Sequence, residues 1–252
     1  MLRVLALLSI PAFLGVGAPV RAADDQPKDV IARAIKAHGG EELLAKSKAG
    51  TSAAKGKMNI PGVGDVEFNQ ESCHMLPDKF KETIQMTIMG TNINVVTIVN
   101  GDKQFLILNG KEMDLDDATK ESLKGLGHML KLGRLTSLLK DKDYELSLIG
   151  EDKVEDKPAI GVRVTTKGQK DVSMWFDKKT NLLAKLEYRG TDPFTKGEVN
   201  EERIIAEYMT NKDGIPMPKK VIIKHDGKAF LEIEMSDAQL LEKIDDAEFK
   251  KP

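Results

Sequence analysis

The feature that most constrains this chain is a two-residue period that recurs over its length. Phe80, Ile84, Met86 and Ile88 alternate with Lys79, Lys81, Thr83, Gln85 and Thr87. Ile160, Val162 and Val164 alternate with Gly161, Arg163 and Thr165, and Val172, Met174 and Phe176 repeat the habit, as do Ile204, Ala206 and Tyr208. Successive side chains of a strand point to opposite faces, so the pattern predicts half-buried strands of an antiparallel sheet. The turns agree: Asn100-Gly101, Asn109-Gly110, Asp213-Gly214 and Asp226-Gly227 are tight-hairpin dipeptides. Runs bounded by such turns number about eleven or twelve.

Helical spacing occurs at the start and in the middle. Pro27 suits a first helical turn, Asp29 complements the helix N-terminus, and Val30, Ile31, Ala34 and Ile35 form one apolar face. His38-Gly39-Gly40 ends that helix, and a second short one is expected over Glu41–Lys46 with Leu43 and Leu44 inward. From Asp114 to Lys140 acids come early and bases late, in the order a helix dipole favours. Leu123, Leu126 and Leu130 fall on one side of this segment, and Leu132, Leu135 and Leu139 nearly opposite. With Gly125, Gly127 and Gly133 among them, the segment predicts two short helices with a flexible joint, both facing the sheet. No repeat, low-complexity tract or linker divides the chain, so one domain is expected over residues 23–252.

The first 22 residues differ from the rest. They carry no acid, an early base at Arg3, an apolar run from Val4 to Val20 and small residues at Val20-Arg21-Ala22, followed at once by Asp24 and Asp25. This is the layout of a cleaved secretory signal peptide, and Pro11 and Pro19 make it a poor membrane span. Export to a periplasm is expected, or secretion where the host has no outer membrane. Ala18–Ala22 contains no Cys for lipid attachment. Cys73 is the single cysteine and cannot form an internal disulfide.

Chemistry-bearing motifs are sparse. Lys plus Arg total 38 against 40 Asp plus Glu, without the basic footprint that nucleic acid requires. His38, His74, His128 and His225 are scattered, without metal-ligand spacing. Cys73 and His74 are neighbours on a strand and point to opposite faces. Asp114, Asp116 and Asp117 suit a helix N-terminus better than a calcium loop. Pro61-Gly62-Val63-Gly64 is a turn, and no nucleophile elbow or phosphate loop is present. No cofactor, metal or catalytic residue is therefore expected. The 11 Met residues, many in strands or in the broken helix, suit either ordinary core filling or a surface that accepts variable apolar ligands.

Several segments carry a resemblance. Ala34-x-x-Ala37-His38-Gly39-Gly40 after a leader, the strand-turn-strand Met174-Trp175-Phe176-Asp177-Lys178-Lys179-Thr180-Asn181-Leu182-Leu183, the run Asp213-Gly214-Ile215-Pro216-Met217-Pro218-Lys219-Lys220-Val221 and the closing Asp245-Asp246-Ala247-Glu248-Phe249 are similar to segments of the LolA/LolB-like family of bacterial envelope proteins. The resemblance implies a mainly β (α+β) domain: a half-open antiparallel β-barrel of about eleven strands, with an N-terminal helix and a helical lid, around a cavity for acyl chains. It implies a non-enzymatic carrier of lipids or lipidated proteins, as in outer-membrane lipoprotein sorting, with at most transient membrane contact. Expected lining residues are Val66, Phe68, Phe80, Ile84, Met86, Ile88, Val95, Met174 and Phe176, with Leu126, Met129 and Leu130 on the lid. Two alternatives remain: a regulatory or protein-interaction module that recognises an envelope protein without bound lipid, and an envelope hydrolase.

Overall fold

The computed structural model describes residues 25–251, so the expected leader over residues 1–22 lies outside the described residues. The alternating segments form β1 (Ala49–Ile60), β2 (Gly64–Met75), β3 (Lys79–Ile88), β4 (Thr91–Asn100), β5 (Lys103–Leu108), β6 (Lys111–Met113), β7 (Tyr144–Val154), β8 (Lys157–Thr166), β9 (Val172–Asp177), β10 (Leu183–Thr191), β11 (Glu198–Thr210), β12 (Pro216–His225) and β13 (Lys228–Leu241). All thirteen join one antiparallel sheet in the order β6-β5-β4-β3-β2-β1-β13-β12-β11-β10-β9-β8-β7. Two meanders are thus fused where β1 pairs with β13. The expectation of about eleven strands in a half-open barrel is corrected to an open, curved sheet of thirteen. β6 is three exposed residues, too short and too polar to show a period, and most of β7 is exposed, so neither stands out in the sequence.

The turns follow their chemistry. Asn109 and Asp226 take φ values of +49° and +48°, each followed by a glycine, as two-residue hairpins require. Between β9 and β10 the Asp177 carboxylate accepts from the backbone N–H groups of Lys179 and Thr180 and from the Thr180 hydroxyl, closing the turn that the sequence marks.

The helices are α1 (Pro27–Ala37), α2 (Glu41–Lys46), α3 (Asp117–Gly133) and α4 (Thr136–Lys140). Val30, Ile31, Ala34 and Ile35 of α1 are buried as expected, with Leu44 of α2. They pack with Leu132, Leu135 and Leu138 onto Val162, Met174 and Phe176 of β8 and β9. The mid-chain segment is two helices, but they are unequal. α3 runs through Gly125 and Gly127, its N-terminus capped by the Asp116 carboxylate accepting from Thr119 N–H at 2.7 Å. The break falls at Leu135, whose φ is +61°. Burial of Leu135 and Leu138 offsets the cost of that left-handed residue.

Both sheet faces are dry near β9, where Trp175 packs with Ala159, Val154 and Ile204 on the side away from the helices. The expected single face for Ile204, Ala206 and Tyr208 is corrected by a bulge in β11 between Ile205 and Tyr208. The extra residue shifts the parity. Ile204 joins Trp175, whereas Tyr208 turns to the helix side, edge-on to His38. At the C-terminus a 3-10 helix (Asp246–Phe249) buries Phe249 beside β3 and β4, and Asn100 donates to the Phe249 carbonyl.

Candidate functional site

The register places all nine expected lining residues on one face of the sheet. Phe68 lies opposite Met86, and Met86 opposite Ile93; Ile84 lies opposite Val95. Two-residue steps then carry the same face to Val66, Phe80 and Ile88. His74 shares this face and contacts Arg134 at the α3–α4 joint, so it is the helix-bearing face. Met174 and Phe176 lie on it as well, beneath α1 and α4. The nine divide by burial. Met174 and Phe176 are fully enclosed in the main core, and Val66 and Phe68 are buried, whereas Phe80, Ile84, Met86, Ile88 and Val95 remain half-exposed. Half-exposed apolar side chains on an inward-curving face are unsatisfied surface in the hydrophobic sense.

Phe68 reaches its place because β1 carries Gly56 opposite it. A β-carbon at Gly56 would overlap the Phe68 ring and lie 2.7 Å from the Glu232 carbonyl oxygen.

α3 spans this face. At its N-terminal end Lys196 of the β10–β11 loop contacts Asp116 and Thr119. Midway, Gly127 lies against the Pro77 carbonyl of the β2–β3 turn, where a β-carbon would sit at 2.9 Å. At its C-terminal end Arg134 donates to the Ala49 carbonyl at 3.1 Å and to His74 Nε2 at 2.8 Å. Burial, with the Arg134 charge behind it, pushes His74 down to about 4, so the ring is neutral and can accept that bond. Burial also draws Arg134 down to about 10, which leaves it charged at neutral pH.

Between α3 and β9–β11 lies a cavity of about 440 Å³. Leu126 and Met129 of the expected lid line it, with Val172, Tyr188, Glu201 and Arg203 on the sheet side. Leu130 is half-buried on the same helix but does not line the cavity. A volume in this range is that of an ordinary small-ligand site.

Its polar wall was not anticipated from the sequence. Glu201 of β11 accepts from Tyr188 Oη at 2.5 Å and from Arg203 Nε at 2.6 Å, and His225 Nε2 lies 3.4 Å from its other oxygen. His225 Nδ1 contacts Asp192 at 3.2 Å, and the ring stacks on Phe230 with centroids 4.0 Å apart. Burial alone would raise Glu201, but Arg203 and Tyr188 outweigh it and hold the carboxyl below its usual range. Glu82 of β3 faces the same interior and accepts from Gln70. Burial pushes Glu82 up, and Arg203 counteracts this. In sheet order Glu82 and Arg203 are five strands apart, about 24 Å in a flat sheet. The influence of Arg203 on Glu82 across that interval accords with a curved sheet.

A larger hollow of about 990 Å³ lies elsewhere. Its walls include Lys55, Lys57, Glu67, Asn69 and Gln85, which the register places on the face away from the helices, and also the expected lining residues Phe68 and Met86. Charged and amide side chains make up most of its wall, with Phe68, Met86 and Ile93 as the apolar part. Among the described residues no group of three or more His, Cys, Asp or Glu is placed to hold a metal, and no helix is long and apolar enough to cross a membrane.

No protein-family description and no curated protein matches this sequence. Solved structures do match in fold. A LolA superfamily protein from Nitrosomonas europaea superposes with a TM-score of 0.57 at 10% identity, over 90% of this chain and 98% of the other. A DUF1329 family protein from Desulfovibrio piger gives 0.54 at 16% identity, with the same coverage of 90% and 98%. An outer-membrane lipoprotein-sorting protein domain from Vibrio parahaemolyticus gives 0.50 at 12% identity, over 82% and 93%. The resemblance in the sequence is thereby matched in three dimensions: the chain has the LolA-like fold.

Proposed function

We propose that this chain is a non-enzymatic carrier of the bacterial envelope that holds acyl chains of a lipid or lipidated protein between α3 and the inward face of the sheet. The observation that carries this reading is the cavity of about 440 Å³ under α3, with Leu126 and Met129 on one wall and Val172 on the other. The half-exposed Ile84, Met86, Ile88 and Val95 provide a second stretch of apolar surface on the same face. Each methylene moved from water to such a surface gains about 0.8 kcal/mol, so ten of them supply about 8 kcal/mol before the cost of ordering the chain. That is enough to compete with a membrane for a single acyl chain. The LolA-like fold supports the reading, because a lipoprotein-sorting domain is among the structures that share it. The leader-like N-terminus supports export to the periplasm.

Displacement of a fluorescent fatty-acid probe tests it. Wild-type protein is expected to bind the probe at a stoichiometry near one, and Leu126→Glu or Met129→Glu to weaken binding by tenfold or more, since each puts a charge into the apolar wall. Unchanged affinity in both variants would place the ligand elsewhere, and no binding by the wild type would leave the carrier reading without support.

A further inference from the structure

Arg203 is a charged residue at an inward, half-buried position of β11. The cross-strand register sets it between Leu186 of β10 and Ile223 of β12, on the face that α3 covers. A guanidinium among apolar neighbours must be paired or it forfeits its hydration. One contact is provided: Nε donates to Glu201 at 2.6 Å, while the guanidinium lies 5.7 Å from the centre of the Tyr188 ring. Among the described residues, Glu201 is its one ion-pair partner. Glu82 of β3 lies beyond ion-pair distance and accepts from Gln70 instead.

The surrounding groups fix Arg203 from behind. Asp192 contacts His225, His225 contacts Glu201, and Tyr188 donates to the same Glu201 oxygen that receives Arg203 Nε. A simple ion pair needs two groups, whereas here Tyr188, His225 and, through His225, Asp192 all hold the one carboxylate that pairs with Arg203. The terminal edge carries two parallel N–H groups whose spacing matches a carboxylate. Arg203 belongs to the wall of the cavity, together with Leu126 and Met129 of α3.

From this geometry we infer that Arg203 is the head-group subsite of the cavity: its terminal N–H groups receive the carboxylate of a free single-chain fatty acid, whose hydrocarbon tail lies along the apolar wall under α3. Glu201, Tyr188 and His225 are positioning residues that aim the guanidinium. The inference rests on the acyl-carrier reading and narrows its substrate class from acyl chains in general to free carboxylic acids.

The test compares laurate with methyl laurate, which share a tail and differ in the charge of the head. Both are titrated calorimetrically against purified wild-type protein at neutral pH. A charge-assisted bond to the half-buried arginine should favour laurate by at least about tenfold. Arg203→Met should weaken laurate by a similar factor and leave methyl laurate unchanged, so that the preference disappears. Should this variant unfold with Glu201 left unpaired, E201Q/R203M removes both charges and should show the same lost preference. Equal binding of acid and ester by the wild type overturns the head-group subsite but leaves the carrier reading intact. A preference for laurate that survives removal of Arg203 also overturns it. Failure of the wild type to bind either ligand overturns both readings together.

Discussion

Replacing Gly56 by alanine should damage the sheet at the joint between its two meanders, and the damage should depend on Phe68. Gly56 pairs with Phe68 on one side and with Ile233 on the other. The added methyl group would overlap the Phe68 ring and sit 2.7 Å from the Glu232 carbonyl oxygen, both inside van der Waals contact. Overpacking of this kind costs about 1–3 kcal/mol. Phe68→Ala removes a buried ring and costs about 3–5 kcal/mol. In the double variant the ring is gone, so the first clash vanishes and only the contact with Glu232 remains. The two losses should therefore sum to about 1 kcal/mol or more beyond the loss in the double variant. Urea unfolding followed by fluorescence of Trp175, the single tryptophan and a buried one, measures all four proteins. Strict additivity would refute the claim that Gly56 exists to seat Phe68.

Three further outcomes follow from single positions. Phe249 is 1% exposed in the last helical turn, so Phe249→Ala should cost about 3–5 kcal/mol in the same urea assay, and a loss below 1 kcal/mol would show that the C-terminal segment is not part of the core. Met89 sits at a hairpin tip with φ +49° and 86% exposure, so Met89→Asn should stabilise by about 0.5–1 kcal/mol; no gain in thermal midpoint would contradict the strain assigned to it. His74 titrates at about 4 in the native state against 6.5 ordinarily, so the unfolded chain takes up its proton first as pH falls. Its contribution is therefore complete above about pH 6.5 and lost towards pH 4, by at most about 3 kcal/mol. Subtracting the stability curve of His74→Gln from that of the wild type should reveal this slope, and a flat difference would refute it.

Much of this architecture is legible in the sequence because strands advertise their inward face. Phe80 to Ile88, Ile160 to Val164 and Val172 to Phe176 all lie on the helix side as their alternation predicts, and the four Gly-containing dipeptides all close hairpins. β11 misleads because one bulged residue reverses the parity between Ile204 and Tyr208, and a period count contains no signal for an insertion. The helical joint is expected among glycines, and α3 does end at Gly133, but the left-handed residue that breaks the chain is Leu135, where burial matters more than local propensity. The polar wall of the cavity was invisible for a different reason. Alternation identifies apolar residues, so Glu201 and Arg203, at inward positions of β11, read as solvated charges until the register brings Tyr188 and His225 beside them. The spacing Glu201-x-Arg203 on a strand does put both side chains on one face, which is the one clue the sequence offered.

Intact mass measurement and lipid extraction on protein purified from its native envelope bear most directly on whether this fold carries acyl chains. One acyl lipid per chain is expected, recovered by extraction, on a polypeptide beginning at Ala23 after removal of the leader. A lipid-free protein that also fails to bind fluorescent fatty-acid probes would contradict carriage outright.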